Sequence, residues 1–335
     1  MPQNQAAWIK AQGTSLVVED APYNAPGPQE VLIKNHAVAI NPVDWKMQDH
    51  NIFNDKYPHI FGCDVAGVVE EVGSEVKAFT RGDRVIGNAV CLSKGVKYAA
   101  FQLYVLCPAN VTCKLPDHVS FEQGCVLPLA VNTSSLGLFV PDHLGLPMPS
   151  VSPSTSDQAV LVYGGSTSVG ATCIQLAKAA GARVYATASK SNHEYCRALG
   201  ADEVFDYRDS DWVHKAAAAM KDKAVVGAYD SISTDDTAKA TQKVLVSSGS
   251  KGLVLMVSPP PEGVQGRFVF GANLTSNEDL AKAIWADFLG QALKKGSLVP
   301  KPDPVVAGHG LGEIQKGMDL QKNGVSARKV VVTIA

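Results

Sequence analysis

The sequence predicts a two-domain α/β protein built around a doubly wound parallel sheet. Three observations carry that expectation. From about residue 159 short apolar strands alternate with helix patterns, which implies parallel strands joined by right-handed crossovers. A glycine-rich turn, Gly164 to Gly170, joins the first of those strands to the first of those helices. The first third of the chain has another rhythm, with short β-branched runs broken by Gly, Pro, Asn and Asp, and 335 residues suit two compact domains.

Taken in order, Val31 to Lys34, Val65 to Val72 and Asp83 to Gly87 read as strands of a small antiparallel barrel or curled sheet. The parallel sheet then begins with the apolar strand Ala159 to Tyr163, a helix from Val169 to Ala180, and the strand Arg183 to Thr187. A helical stretch, the strand Glu203 to Tyr207, a helix near 211–221, a strand near 225–230, a helix near 235–247 and a strand from Gly252 to Val257 continue it. A strand near Arg267 to Gly271 either pairs across a two-fold axis or stays a capped edge, which leaves both monomer and homodimer open. The Pro- and Ser-rich segment Leu146 to Asp157 reads as a surface loop, either a substrate lid or an inert insertion. Arg328 to Ile334 is a strand with no place on the parallel sheet, free to return to the first lobe.

Thirty Lys and Arg against 32 Asp and Glu leave a net charge of −2. Such a chain has no global field to recruit nucleic acid or an anionic membrane, so any partner must be recognised locally. No run of 18 apolar residues is present, and Met1 to Gly13 lacks the basic start and apolar stretch of a signal peptide. Seven cysteines with no CxxC spacing read as reduced, mostly buried thiols of a cytoplasmic protein.

The turn Tyr163-Gly164-Gly165-Ser166-Thr167-Ser168-Val169-Gly170 has the strand–turn–helix context of a dinucleotide fingerprint, with Thr167 at the middle glycine position. Small residues let Gly165, Ser166, Thr167, Ser168, Val169 and Gly170 approach a pyrophosphate, and the helix start offers it free N–H groups. Cofactor choice is read at the end of the second strand, where an acid would bond both ribose hydroxyls and repel a 2′-phosphate. Here Ser189, Lys190 and Asn192 stand without an acid and donate to a phosphate, so NADPH is expected over NADH.

The order of motifs resembles the medium-chain dehydrogenase/reductase superfamily, in its quinone oxidoreductase and enoyl reductase branch. The resemblance rests on Asn41-Pro42-Val43-Asp44-Trp45-Lys46, Gly62 to Val69 with Val72-Gly73 and Arg81 to Val85 downstream, the glycine-rich loop, and Leu199 to Asp202 before Val204 to Tyr207. The loop, the insertion before it and Ser189 to Asn192 look most like the toxD-like fungal oxidoreductases and the trans-acting enoyl reductases that serve polyketide synthases. The resemblance implies a GroES-like catalytic lobe from residues 1–126 and 275–335, interrupted by a Rossmann NADPH domain at 127–274, with substrate entering between them. It places Val43, Asp44, Trp45, Lys46, Thr133, Tyr207, Leu255, Met256, Val325 and Ser326 against the cofactor.

Many members of that superfamily hold a zinc ion through a Cys, a His within Gly-His-Glu and a further Cys. Here Asn41, Cys63-Asp64 and Thr133 stand at or near those places, so no metal is expected. Without a Lewis acid an alcohol/aldehyde interconversion loses its means of polarising oxygen, and conjugate reduction becomes the natural chemistry. Lys46 either stabilises the enolate and donates a proton or binds cofactor ribose or phosphate. Asp64 either orients Lys46 and relays a proton or forms a structural salt bridge. The expected function is NADPH-dependent, zinc-independent reduction of an activated C=C bond, in an α,β-unsaturated carbonyl or enoyl thioester, or of a quinone. A polyketide synthase carrier domain would present the thioester. A carbonyl or alcohol dehydrogenase of the same fold, and a weakly catalytic NADPH-binding sensor or synthase partner, are the alternatives.

Overall fold

The computed structural model describes residues 2–54 and 56–334, which pack as two compact units. The first comprises Met1–Leu129, Trp285–Lys294 and Val299–Ala335, and the second Ala130–Ile284 and Lys295–Leu298. Residues 275–284, assigned from the sequence to the first lobe, pack with the second unit, where Leu280, Ala281 and Ile284 are buried.

In the first unit the strands are β1 (Asn4–Ile9), β2 (Val17–Ala21), β3 (Glu30–Ala39), β4 (His59–Ile60), β5 (Asp64–Val72), β6 (Arg84–Asn88), β7 (Tyr104–Pro108) and β8 (Thr112–Lys114). The second unit holds β9 (Gln158–Tyr163), β10 (Arg183–Thr187), β11 (Glu203–Phe205), β12 (Ala224–Asp230), β13 (Leu253–Met256) and β14 (Gly266–Phe268). The first unit closes with β15 (Asp303–His309) and β16 (Arg328–Thr333).

The first unit has a sheet ordered β15-β16-β3-β5-β6-β8, with β7 also on β3, and a smaller sheet β2-β1-β4. The tail strand does return: β16 runs antiparallel to β3, pairing Val331 with Ala39 and Thr333 with Ala37. Its alternating apolar residues Val330 and Val332 join the core that Ile33, Val38, Val65 and Phe101 build. Between β3 and β5 the register slips twice, and at the slip Gly67 lies so close that an added Cβ would sit 2.1 Å from the Lys34 carbonyl oxygen.

The second unit's six strands are all parallel, ordered β11-β10-β9-β12-β13-β14. The chain leaves β9 toward β10 and β11, then crosses back to β12 on the other side, so a crevice opens beyond the carboxyl ends of β9 and β12. The central strands read as unbroken apolar runs because helices cover both faces. The edge strand is shorter than the sequence suggested, because the chain turns into a 3-10 helix at Gly271.

The segment 146–157 is a loop without regular structure. It is anchored by Ser150 N–H to the Ala179 carbonyl (2.8 Å) and Ser156 N–H to the Gly181 carbonyl (2.9 Å). Both anchors lie at the C-terminal end of the helix Ser168–Ala179, about 18 Å from its start at 1.5 Å per residue.

Replacing Gly67 with Ala forces the β3–β5 slip apart. Unfolding free energy should fall by about 3 kcal/mol, the overpacking range for a backbone clash. A urea melt checks it, and unchanged stability would show that the slip has slack.

Candidate functional site

In the second unit the site starts at the end of β9. Gly164 takes the left-handed conformation, φ +78°, that the sharp turn requires. Its N–H donates to Thr187 Oγ1 (3.0 Å), and the Gly165 N–H to the Thr187 carbonyl (2.8 Å), so the loop is stitched to the end of β10. An added Cβ on Gly170 would meet the Gly164 carbonyl oxygen at 2.2 Å, which fixes glycine where helix and strand touch. Thr167 tolerates a side chain because its backbone is extended (φ −75°, ψ 170°), and its Oγ1 caps the helix by accepting the Gly170 N–H at 2.9 Å. The next N–H groups, of Ser168 and Val169, have no intrahelical acceptor, as at any helix start. Ser168 Oγ is buried there with no hydrogen-bond partner.

The two halves of the expected anion site come together. Asn192 Nδ2 donates to Ser166 Oγ (3.4 Å) and Ser189 Oγ (3.2 Å), and Ser189 and Ser191 exchange a bond at 3.2 Å. Lys190 is exposed and lines a hollow of about 360 Å³ that His193, Phe205, Asp206 and Trp212 also bound. Tyr207 is exposed, with its ring 6.2 Å from that of Tyr163 at the end of β9.

Sequence reasoning missed the loop after β12. Asp230 accepts the N–H groups of Ile232 and Ser233 (2.9 Å each) and the Thr237 hydroxyl (2.6 Å). That turn sends the Ser231 hydroxyl to the Tyr163 carbonyl (2.7 Å) and against Thr167 Oγ1 (2.9 Å), and leaves Ile232 exposed. Its place beside the crossover between β9 and β12 was the signal available. Leu255 and Met256, expected at the cofactor, have side chains wholly inside the sheet layers, so only their main chain is available to a ligand. Thr133 is buried too, and its carbonyl accepts the Tyr229 hydroxyl at 2.9 Å.

In the first unit Asn41 caps the helix Pro42–His50, with Pro42 at its first position and Asp44 Oδ2 accepting the Asn41 N–H at 2.7 Å. The helix presents Lys46 to solvent, its ammonium 5.7 Å from the centre of the Trp45 ring. Asp44 is fully buried, so its side chain makes no cofactor contact. Val43 and Trp45 are half-buried, while Val325 lies exposed before β16 and Ser326 follows it.

Asp64 does not orient Lys46. It is 0% exposed, and both oxygens are occupied: Oδ1 accepts the Leu129 N–H (2.6 Å), and Oδ2 accepts Asn41 Nδ2 (2.7 Å) and faces the Lys329 ammonium at 3.5 Å. The structural salt bridge is what the fold uses, and its cation is a lysine that the sequence did not single out. Cys63 is buried as well, its sulfur 3.9 Å from that of Cys91.

Burial pushes the Asp44 carboxyl up to about 7, and the Asp64 charge adds to the rise while the Asn41 N–H and Lys329 oppose it. Burial also raises Asp64, with Lys329, Asn41 and the Leu129 N–H pulling back. An acid raised in the folded state binds its proton more tightly folded than unfolded. Its contribution to stability is therefore whole below the unfolded carboxylate range and lost as pH climbs to about 7. Asp44→Asn should remove that slope, so the wild-type minus variant stability falls by up to about 1.4 kcal/mol per pH unit between roughly pH 4 and 7. Denaturant melts across that window check it, and parallel curves would refute it.

The chain matches two family models, "alcohol dehydrogenase GroES-like domain" over residues 27–117 and "zinc-binding dehydrogenase" over 168–283. The dehydrogenase orsE of Emericella nidulans is 40% identical over 100% of both chains. The trans-enoyl reductase himH of Aspergillus japonicus is 39% identical over 99% of this chain and 98% of that one. A mycobacterial protein solved in complex with NADPH shares the fold, with a TM-score of 0.74, 23% identity and coverage of 98% and 99%.

The zinc of the second model's name does not fit these residues. Among the described residues no three His, Cys, Asp or Glu side chains are grouped to hold a metal ion. The polar cluster at Asn41 and Asp64 already contains an ammonium, which would repel one. Paired domains and full-length relatives agree on the rest: this chain is an oxidoreductase of the medium-chain dehydrogenase/reductase superfamily and belongs to its enoyl reductase branch.

Proposed function

We propose that the protein is an NADPH-dependent, zinc-independent reductase of an activated C=C bond, in an α,β-unsaturated carbonyl or enoyl thioester, or of a quinone. The observation that carries this reading is the polar cluster of Ser166, Ser189, Ser191 and Asn192 beside Lys190, with no carboxylate among them. A 2′-phosphate there gains hydroxyl and amide donors and one ammonium, whereas the end of β10 offers an NADH ribose no acid to accept its two hydroxyls. The Ser168 and Val169 N–H groups, the unpartnered Ser168 hydroxyl and the Thr167-capped turn hold the pyrophosphate. The NADPH complex of the mycobacterial neighbour supports the same cofactor.

Bound NADPH supplies the hydride. The chain's own part is to place a cation where negative charge develops on the carbonyl oxygen, and Lys46 is the residue for it, exposed and without an ion pair among the described residues. Its ammonium stabilises the enolate and is a proton source for the α-carbon. The name of himH supports an enoyl group as substrate, and a polyketide synthase carrier domain is the partner this reading implies for a thioester. Seven free, buried cysteines support a reducing, cytoplasmic setting.

A panel of enones, enoyl thioesters, quinones and saturated aldehydes, followed by NADPH oxidation, tests the reaction. Turnover of saturated aldehydes alone would overturn it. Lys190→Ala should raise the KM for NADPH at least tenfold, as expected for one charge-assisted bond of about 1.5–3 kcal/mol, and that for NADH less than threefold. Equal effects on both cofactors would show that Lys190 does not meet the phosphate. Lys46→Ala should lower turnover at saturating NADPH by at least tenfold, and unchanged kinetics would remove Lys46 from the mechanism.

A further inference from the structure

Lys329 is only 4% exposed, which is rare for a lysine without a compensating partner. Its Nζ donates to Asn41 Oδ1 at 2.5 Å and stands 3.5 Å from Asp64 Oδ2. Asn41 passes the connection on, donating Nδ2 to Asp64 and its backbone N–H to Asp44. An amide is needed at that position, because the residue accepts from an ammonium on one side and donates to a carboxylate on the other. The remaining titratable groups that face this cluster are Cys63, Cys91 and Cys125, with Glu122 behind Cys125. Lys329 is the one cation among them.

The helix that begins at Asn41 has nine residues, too short to hold itself in water. Its first turn carries Pro42, Val43, Asp44 and Trp45, with Lys46 directly after it, and its cap is bonded to a residue 288 positions away on β16. The direction of Lys46 therefore depends on a strand that enters the sheet last in sequence.

We propose that Lys329 is a positioning residue for the reduction: its buried ammonium holds Asn41, and through Asn41 the first turn of the helix that presents Lys46. The proposal rests on the role given to Lys46 above. Lys329 itself touches neither substrate nor cofactor, and it supplies from within the chain the ordering cation of this cluster.

Lys329→Met alone leaves the Asp64 carboxylate buried and unpaired, a change that risks the fold. The informative full-length variants are Lys329→Met combined with Asp64→Asn, which removes both charges, and Lys329→Arg, which keeps the cation. Hydrogen exchange read by mass spectrometry should show the amides of Met47 to Asn51 exchanging at least tenfold faster in the double variant, with β5 and β6 within twofold of wild type. Turnover at saturating NADPH should fall at least tenfold in the double variant, and Lys329→Arg should restore most of it along with the slow exchange. Unchanged exchange in the helix overturns the proposal. Fast exchange together with wild-type turnover, in a protein whose Lys46→Ala variant is also fully active, supports the anchoring by Lys329 and overturns the role of Lys46.

Discussion

A carboxylate with no access to water sets the terms for the first unit. Asp64 opens β5, the strand that pairs with both β3 and β6, and its burial is tolerable only if every lone pair finds a donor. The donors come from three distant places: the Leu129 main chain, the Asn41 amide and the Lys329 ammonium. Removing Lys329 strands a charge in a medium that cannot hydrate it, and removing either neutral donor leaves a lone pair of that charge unmet. The start of the helix Pro42–His50, the beginning of β16 and the chain at Leu129 are thus held to one another by one side chain. The apolar core packs around this point, but apolar contact has no direction, and it is the carboxylate that fixes which residue faces which.

The second unit, in the function proposed above, has the opposite problem of recognising an anion on a chain whose charges nearly cancel. It does so with directed dipoles. The helix after the Gly164 turn starts with Ser168 and Val169 N–H groups that have no intrahelical acceptor, Thr167 takes the Gly170 N–H as the cap, and a short ring of serine and asparagine side chains lies where β10 ends. Lys190 stands beside this ring as its cation, in a hollow that Asp206 and Asp209 also bound.

What the sequence made legible follows from the range of the interactions involved. β9, β10 and β12 were readable because a strand buried on both faces must be apolar without interruption, and the glycine-rich turn because Gly164 and Gly170 answer to local sterics. Thr167 looked like a departure and proved a substitute, since an extended backbone has room for a side chain that caps the helix. Lys329 was not legible. Beside Arg328 at the start of a strand it has the appearance of a solvated charge, and nothing within ten residues announces partners at positions 41 and 64. The same limit explains Asp64, for which a role beside Lys46 and a structural salt bridge both stayed open, and Leu255 and Met256, whose strand was foreseen but whose side chains face packed layers.

The charges around Asn41 also show why a lysine can order this cluster. With Asp64 ionised and Lys329 protonated the pair is neutral, and Asp44, pushed up to about 7 by burial, holds its proton over most of the acidic range and adds no further charge. A divalent ion in the same space would need at least three grouped His, Cys, Asp or Glu ligands, which the described residues do not bring together there, and would meet the Lys329 ammonium. A tethered ammonium needs only one acceptor and one counter-charge, both of which Asn41 and Asp64 supply. It is delivered by the last strand to join the sheet, so the cation that organises the site is a part of the fold itself.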